Sequence, residues 1–147
     1  MLHVTYEAVE DLAPGRLARI LEDRGRIQVL LDKSAALEDV VRQLNIEIDN
    51  LMSSANWFQL WEDEIVGRTT PDAPLRIEYL LHRLVPDTAI VLEDKGCIRV
   101  HIDPVLDTEA FAAAMNPVTK QHLAGGQWFQ MYAGEIIDIS PEPMSQV

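Results

Sequence analysis

Leu21-Glu22-Asp23-Arg24-Gly25-Arg26-Ile27 returns 71 positions later as Leu92-Glu93-Asp94-Lys95-Gly96-Cys97-Ile98. The same offset lays Trp57-Phe58-Gln59 on Trp128-Phe129-Gln130, Glu64-Ile65 on Glu135-Ile136, Asp32 on Asp103, Asn45 on Asn116 and Glu7 on Glu78. Without a gap, residues 1–71 and 72–142 share 16 identities, where average composition gives roughly five by chance. Twelve of the 16 fall in two short windows, 21–32 and 57–65. Such clustering in one register marks a tandem duplication. The chain therefore reads as a first repeat unit, 1–71, a second, 72–142, and a polar tail, 143–147, with both units expected in one domain.

Each unit reads alike from its quoted stretch outward. Asp23-Arg24-Gly25 and Asp94-Lys95-Gly96 are turns whose glycine supplies a positive φ. Arg19–Glu22 with Arg26–Leu31, and Ala89–Glu93 with Cys97–Ile102, are the hairpins they close. Upstream, 4–8 and 75–79 alternate apolar and polar residues as strands do. Downstream the period changes: Leu37, Val40, Val41, Leu44, Ile48, Leu51 and Met52 form one apolar stripe, which predicts a helix of about five turns. Ser34 is its expected N-cap, with Glu38 and Asp39 at the positive end of the dipole. In the second unit Thr108 is the expected cap, and Asn116-Pro117 is expected to break the helix, because an interior proline costs about 3 kcal/mol. Asn116 is then the expected cap of a second short helix with Pro117 in its first turn, which Gly125-Gly126 ends.

Both units finish on a second hairpin, 57–61 with 64–68 and 128–132 with 135–139. A two-residue loop pairs Trp61 with Glu64, Leu60 with Ile65, Gln59 with Val66 and Trp57 with Arg68. Phe58, Leu60 and Ile65 then form the expected core face. The opposite face carries Trp57, Gln59, Trp61, Glu64, Val66 and Arg68, matched by Trp128, Gln130, Tyr132, Glu135, Ile137 and Ile139. Arg68 over Trp57 would be a cation–π pair worth about 0.5–1 kcal/mol. The expected fold is α+β: antiparallel hairpins with one main helix per unit, the units related by a pseudo-twofold axis.

Composition narrows function without naming it. The 147 residues carry 24 acidic and 12 basic side chains, a net charge of −12 shared equally by the two units. That argues against nucleic-acid phosphate and acidic lipid as partners, both of which need basic surface. The N-terminus, Met1-Leu2-His3-Val4-Thr5-Tyr6-Glu7, has no signal-peptide pattern, and no apolar run is long enough to span a bilayer. A cytoplasmic protein is expected.

No catalytic signature emerges. The single cysteine, Cys97, excludes an intramolecular disulfide and any multi-cysteine metal site. His3, His82, His101 and His122 are unrepeated and show no HxH or HxxxH spacing. Ser53-Ser54 lacks a GxSxG context, and Gly125-Gly126 belongs to no phosphate-binding loop. Asp32 and Asp103 read as turn or capping carboxylates. A symmetric acidic pair near the axis, or a second pair from Glu64 and Glu135, is the functional alternative. A contact between His101 and Glu135 across a sheet is a further conjecture. No catalytic residue, metal ligand or cofactor is assigned.

The duplicated aromatic hairpins remain. Trp57, Gln59, Trp61, Glu64, Trp128, Gln130, Tyr132 and Glu135 mix large aromatics with amides and carboxylates, as protein interfaces do. Packed against each other, the same faces would instead form the seam between units. The leading expectation is a non-enzymatic interaction module (adaptor, inhibitor, chaperone or antitoxin-like) for another protein, a basic one included, with a homodimer also open. The alternative is a small-molecule or metal-binding protein, enzymes included, with its site between the units and His101, Glu135, Gln59 or Gln130 facing inward.

Overall fold

The computed structural model describes residues 3–10, 12, 15–23, 26–54, 56–61, 64–68, 75–83, 89–94, 96–124, 127–132 and 135–138. In chain order these give β1 (His3–Val9), β2 (Ala18–Asp23), β3 (Arg26–Asp32), α1 (Leu37–Ser54), β4 (Asn56–Trp61), β5 (Glu64–Arg68), β6 (Arg76–Leu81), β7 (Ala89–Asp94), β8 (Cys97–Ile102), α2 (Thr108–Leu123), β9 (Gln127–Tyr132) and β10 (Glu135–Asp138). The class is α+β, and it consists of two similar sheet–helix units.

In each unit the expected hairpin forms, β2 with β3 and β7 with β8. Gly96 adopts φ 88° at its turn. The first strand joins this hairpin on the far side and runs parallel to its return strand, giving the orders β1-β3-β2 and β6-β8-β7. Ile27, Val29 and Leu31, like Ile98, Val100 and Ile102, alternate into the core, as period-two strands with one covered face must.

Sheet register corrects the repeat alignment at its start. Tyr6 pairs with Val29 and Tyr79 with Val100. Val29 and Val100 are 71 apart, but Tyr6 and Tyr79 are 73 apart. The first strands are therefore equivalent at an offset of 73, so Glu7 and Glu78 are not counterparts. The chain from Tyr6 to Val29 is two residues longer than the chain from Tyr79 to Val100, which an ungapped comparison absorbs silently.

The helices correct three further expectations. α1 spans the predicted stripe, but Ser34 does not cap it. Instead the Asp32 carboxylate accepts from the Ser34 amide and hydroxyl at 2.9 and 2.8 Å, closing an Asx turn ahead of the helix. At the same place in the second unit Asp103 accepts from the Val105 amide at 2.9 Å. α2 is capped by Asp107, which accepts from the Ala110 amide at 2.7 Å. Thr108 is already helical and buried, and its hydroxyl donates to the Ala35 carbonyl of the other unit. α2 also runs unbroken through Pro117. Pro117 lies on the exposed face, as does Ala113 one turn earlier, whose carbonyl the ring leaves without an intrahelical donor. A group freed on the solvent side is cheap to satisfy.

The units interlock. α1 packs on β2 of its own unit and β6 of the other; α2 packs on β7 and β1. Each helix thus closes the gap between the edge of one three-stranded sheet and the edge of the next. An asparagine fastens each crossing. The Asn45 amide donates to the Tyr79 carbonyl at 3.0 Å and accepts from the Tyr79 amide at 2.8 Å. Asn116 makes the same pair of bonds to Tyr6, at 3.1 and 2.7 Å. A side-chain amide presents a donor and an acceptor side by side, so it satisfies an edge strand as a neighbouring strand would.

Beneath this assembly β4 and β5 join β9 and β10 in one antiparallel sheet of order β10-β9-β4-β5. Phe58 pairs with Phe129, its own counterpart, so the local twofold axis passes between them.

Candidate functional site

The inward faces of the two three-stranded sheets and the last turns of both helices do not meet completely. They leave a cavity of about 90 Å³ between the units. Its wall follows the local symmetry: Val4 and Ile77, Tyr6 and Tyr79, Ile27 and Ile98, Val29 and Val100, Trp57 and Trp128. The lining is almost wholly apolar. Tyr6 and Tyr79 are both part of this wall, and their hydroxyls are 2.7 Å apart. Burial pushes the Tyr6 phenol above its ordinary value, which its hydrogen bond to Tyr79 partly offsets. Burial pushes Tyr79 well above, and the neighbouring Tyr6 adds to this. Both are neutral at physiological pH. Phe111 meets Tyr6 edge-on with ring centroids 6.1 Å apart, holding that ring in place.

Trp57 and Trp128 correct the expected face of the hairpin. They are 2% and 4% exposed and form part of the cavity wall, whereas Phe58 is only half-buried. Alternation holds, but the side turned inward is the tryptophan side. Hence neither tryptophan is an exposed interface anchor. The backbone register changes too. Trp61 pairs with Glu64 and Leu60 with Ile65, as expected, but an irregularity between Gln59 and Leu60 then sets Gln59 opposite Gly67 and Phe58 opposite Arg68. Arg68 is therefore not the cross-strand partner of Trp57. In the second hairpin pairing is regular, with Glu135 opposite Tyr132 and Ile137 opposite Gln130.

The side chains of Gln59, Trp61, Glu64, Gln130, Tyr132 and Glu135 lie outside the described residues, although their backbones are placed. That placement separates Glu64 from Glu135. They start the two outer strands of a four-stranded sheet. They lie three strand spacings apart, about 14 Å, and about 20 Å along the strands, so they cannot share one ion. Asp32 and Asp103 each spend an oxygen on their own turn. Among the described residues no group of three or more His, Cys, Asp or Glu could hold a metal. His101 meets His82 edge-on at 5.4 Å and does not line the cavity.

His122 does line it, and residue-by-residue sequence reasoning passed it over. Its Nε2 is screened from solvent with no hydrogen-bond partner among the described residues. Burial lowers its pKa, against a smaller upward pull from Glu93. The signal was present in the repeat: His122 stands where the first unit has Leu51, and the buried, cavity-lining Thr119 where it has Ile48. Polar residues replacing apolar ones on a helix stripe deserve such a comparison. Among the described residues no helix is long and apolar enough to cross a membrane.

Comparison of this chain with protein-family models, curated proteins and solved structures finds no match to any of them.

Proposed function

We propose that this protein binds a small, largely apolar molecule in the cavity between its two repeats. The observation that carries the reading is the cavity itself, lined by equivalent residues of both units, Trp57 and Trp128 among them. An apolar occupant gains by burying its surface against this lining, and its binding to the folded state alone stabilises the fold. Engineered cavities of about 150 Å³ hold benzene. A single ring here therefore needs Met52 and Met115, both in the wall, to yield, as flexible thioether side chains do.

The test is titration with benzene, followed through the indole N–H signals of the tryptophans by NMR. Saturable shifts of the Trp57 and Trp128 signals, with a rise in Tm, are expected. Unchanged indole signals up to the solubility limit would sink the reading. A second reading, capture of another protein by the terminal hairpins, is favoured by one observation: β5 and β10 end their sheet, and open edges accept added strands. Native mass spectrometry after gentle purification separates the two, by a protein-sized or a small added mass.

A further inference from the structure

We infer that two copies of this chain pair face to face through their four-stranded sheets, strands aligned, as the two halves of a β-sandwich. The cavity is walled by Trp57 of β4 and Trp128 of β9 together with residues of both three-stranded sheets and both helices. All of these lie on the tryptophan side of the four-stranded sheet, so its other face is turned away from the core that they form. Phe58 belongs to that other face and is only half-buried.

Strand pairing, a property of the backbone, fixes which positions share the face, because directly paired residues stand on the same side of a sheet. Across the middle runs the row Asp138, Phe129, Phe58, Arg68. Leu60 and Met131 continue the apolar part along the two central strands. Apolar positions at the centre with a charge at each edge are the composition of a protein interface, not of a solvated sheet face.

The row also names the occupant. The local twofold axis between Phe58 and Phe129 relates the place of Arg68 to that of Asp138, and the residues there carry opposite charges. They are three strand spacings apart, about 14 Å, too far to pair within one copy. A second copy turned over about an axis parallel to the strands brings its Arg68 over Asp138, its Asp138 over Arg68 and its Phe58 over Phe129. The same rotation leaves the strands of the two sheets aligned, the usual packing of sandwiches. An axis across the strands would instead set arginine on arginine. One arrangement therefore satisfies charge, apolar contact and sheet packing together, and each copy offers the same surface, as a twofold dimer requires. The net charge of −12 makes the copies repel at a distance, an effect that salt at about 0.15 M confines to about 8 Å.

The experiment is sedimentation equilibrium at that ionic strength, on wild type, on Arg68→Asp, on Asp138→Arg, and on the two variants mixed. Wild type should form a concentration-dependent dimer. Each variant alone should dimerise at least about tenfold more weakly, because it sets like charges over each other at both ends of the row. The mixture should recover the wild-type affinity as a heterodimer, since every facing pair is then opposite in charge again. An effect of either substitution within its own copy cannot produce that rescue. Wild type that stays monomeric at every concentration overturns the inference and leaves the face to a different partner. A dimer that either variant leaves intact, or variants that stay apart when mixed, also overturns it. Should a variant fail to fold, NMR of wild type decides: the Phe58 amide signal moves with protein concentration while that of Gln28, exposed on another sheet, stays, or the inference falls.

Discussion

The phenolic oxygens of Tyr6 and Tyr79 lie 2.7 Å apart, each buried and each carried by the first strand of its own repeat. The backbone behind each ring is held by the helix of the opposite repeat, through Asn116 for Tyr6 and Asn45 for Tyr79. The two units therefore share one cooperative core, and their contact is tied at three symmetric points. Several measurements can probe it.

Tyr6→Phe or Tyr79→Phe leaves the remaining hydroxyl buried without its tyrosine partner. Each should destabilise the fold by about 1–3 kcal/mol in urea unfolding. The double variant should lose clearly less than the sum of the singles, because it removes both halves of one bond. Additive losses would show that the hydroxyls do not depend on each other.

Asn45→Asp and Asn116→Asp keep shape but exchange the amide donor for a carboxylate. The amide N–H of Tyr79 or Tyr6 keeps an acceptor, while the carbonyl loses its donor. A loss of about 1–3 kcal/mol is expected from each. Hydrogen exchange at the opposite repeat's first strand should quicken. Exchange that changes only within the mutated repeat would argue against the cross-repeat clasp.

Trp57→Ala and Trp128→Ala remove buried side chains from the cavity wall. Thermal or denaturant unfolding should register about 3–5 kcal/mol for each. Surface anchors would give changes within about 0.5 kcal/mol.

His122 makes stability depend on pH with a definite sign. Its folded pKa is depressed by burial, so the unfolded chain binds the proton more readily. Its contribution is complete above the unfolded value of about 6.5 and is lost as pH falls through the folded pKa. Between pH 8 and pH 5 wild type should lose more stability than His122→Leu. An equal loss in both proteins would show that His122 does not titrate differently on folding.

Pro117→Ala should raise stability by about 1–2 kcal/mol, the helix penalty of proline offset in part by the extra freedom alanine gives the unfolded chain. A lower Tm would mean that the ring itself packs usefully.

Local chemistry was legible in the sequence wherever neighbours along the chain settle it. The stripe from Leu37 to Met52 gave the helix Leu37–Ser54, because helical periodicity needs no distant partner. Gly96 gave its turn, because its backbone conformation is a property of the residue. The duplication was plain in Leu21–Ile27 against Leu92–Ile98. Asp32 and Asp103 proved to be turn carboxylates because an Asx turn spans only three residues.

Tertiary structure decided the rest. Alternation in Trp57-Phe58-Gln59 defines two faces of a strand, but it is equally satisfied with either inside. The space above the β4–β9 pair selected the tryptophans. Parallel and antiparallel strands share a period of two, so the sequence was silent on β1 lying parallel beside β3. Pro117 survives in α2 because its missing bond falls on the solvent side, a matter of which face the helix buries. The cavity belongs to neither repeat alone: it exists because two sheets, each complete in itself, are held face to face at a distance that their side chains do not fully fill.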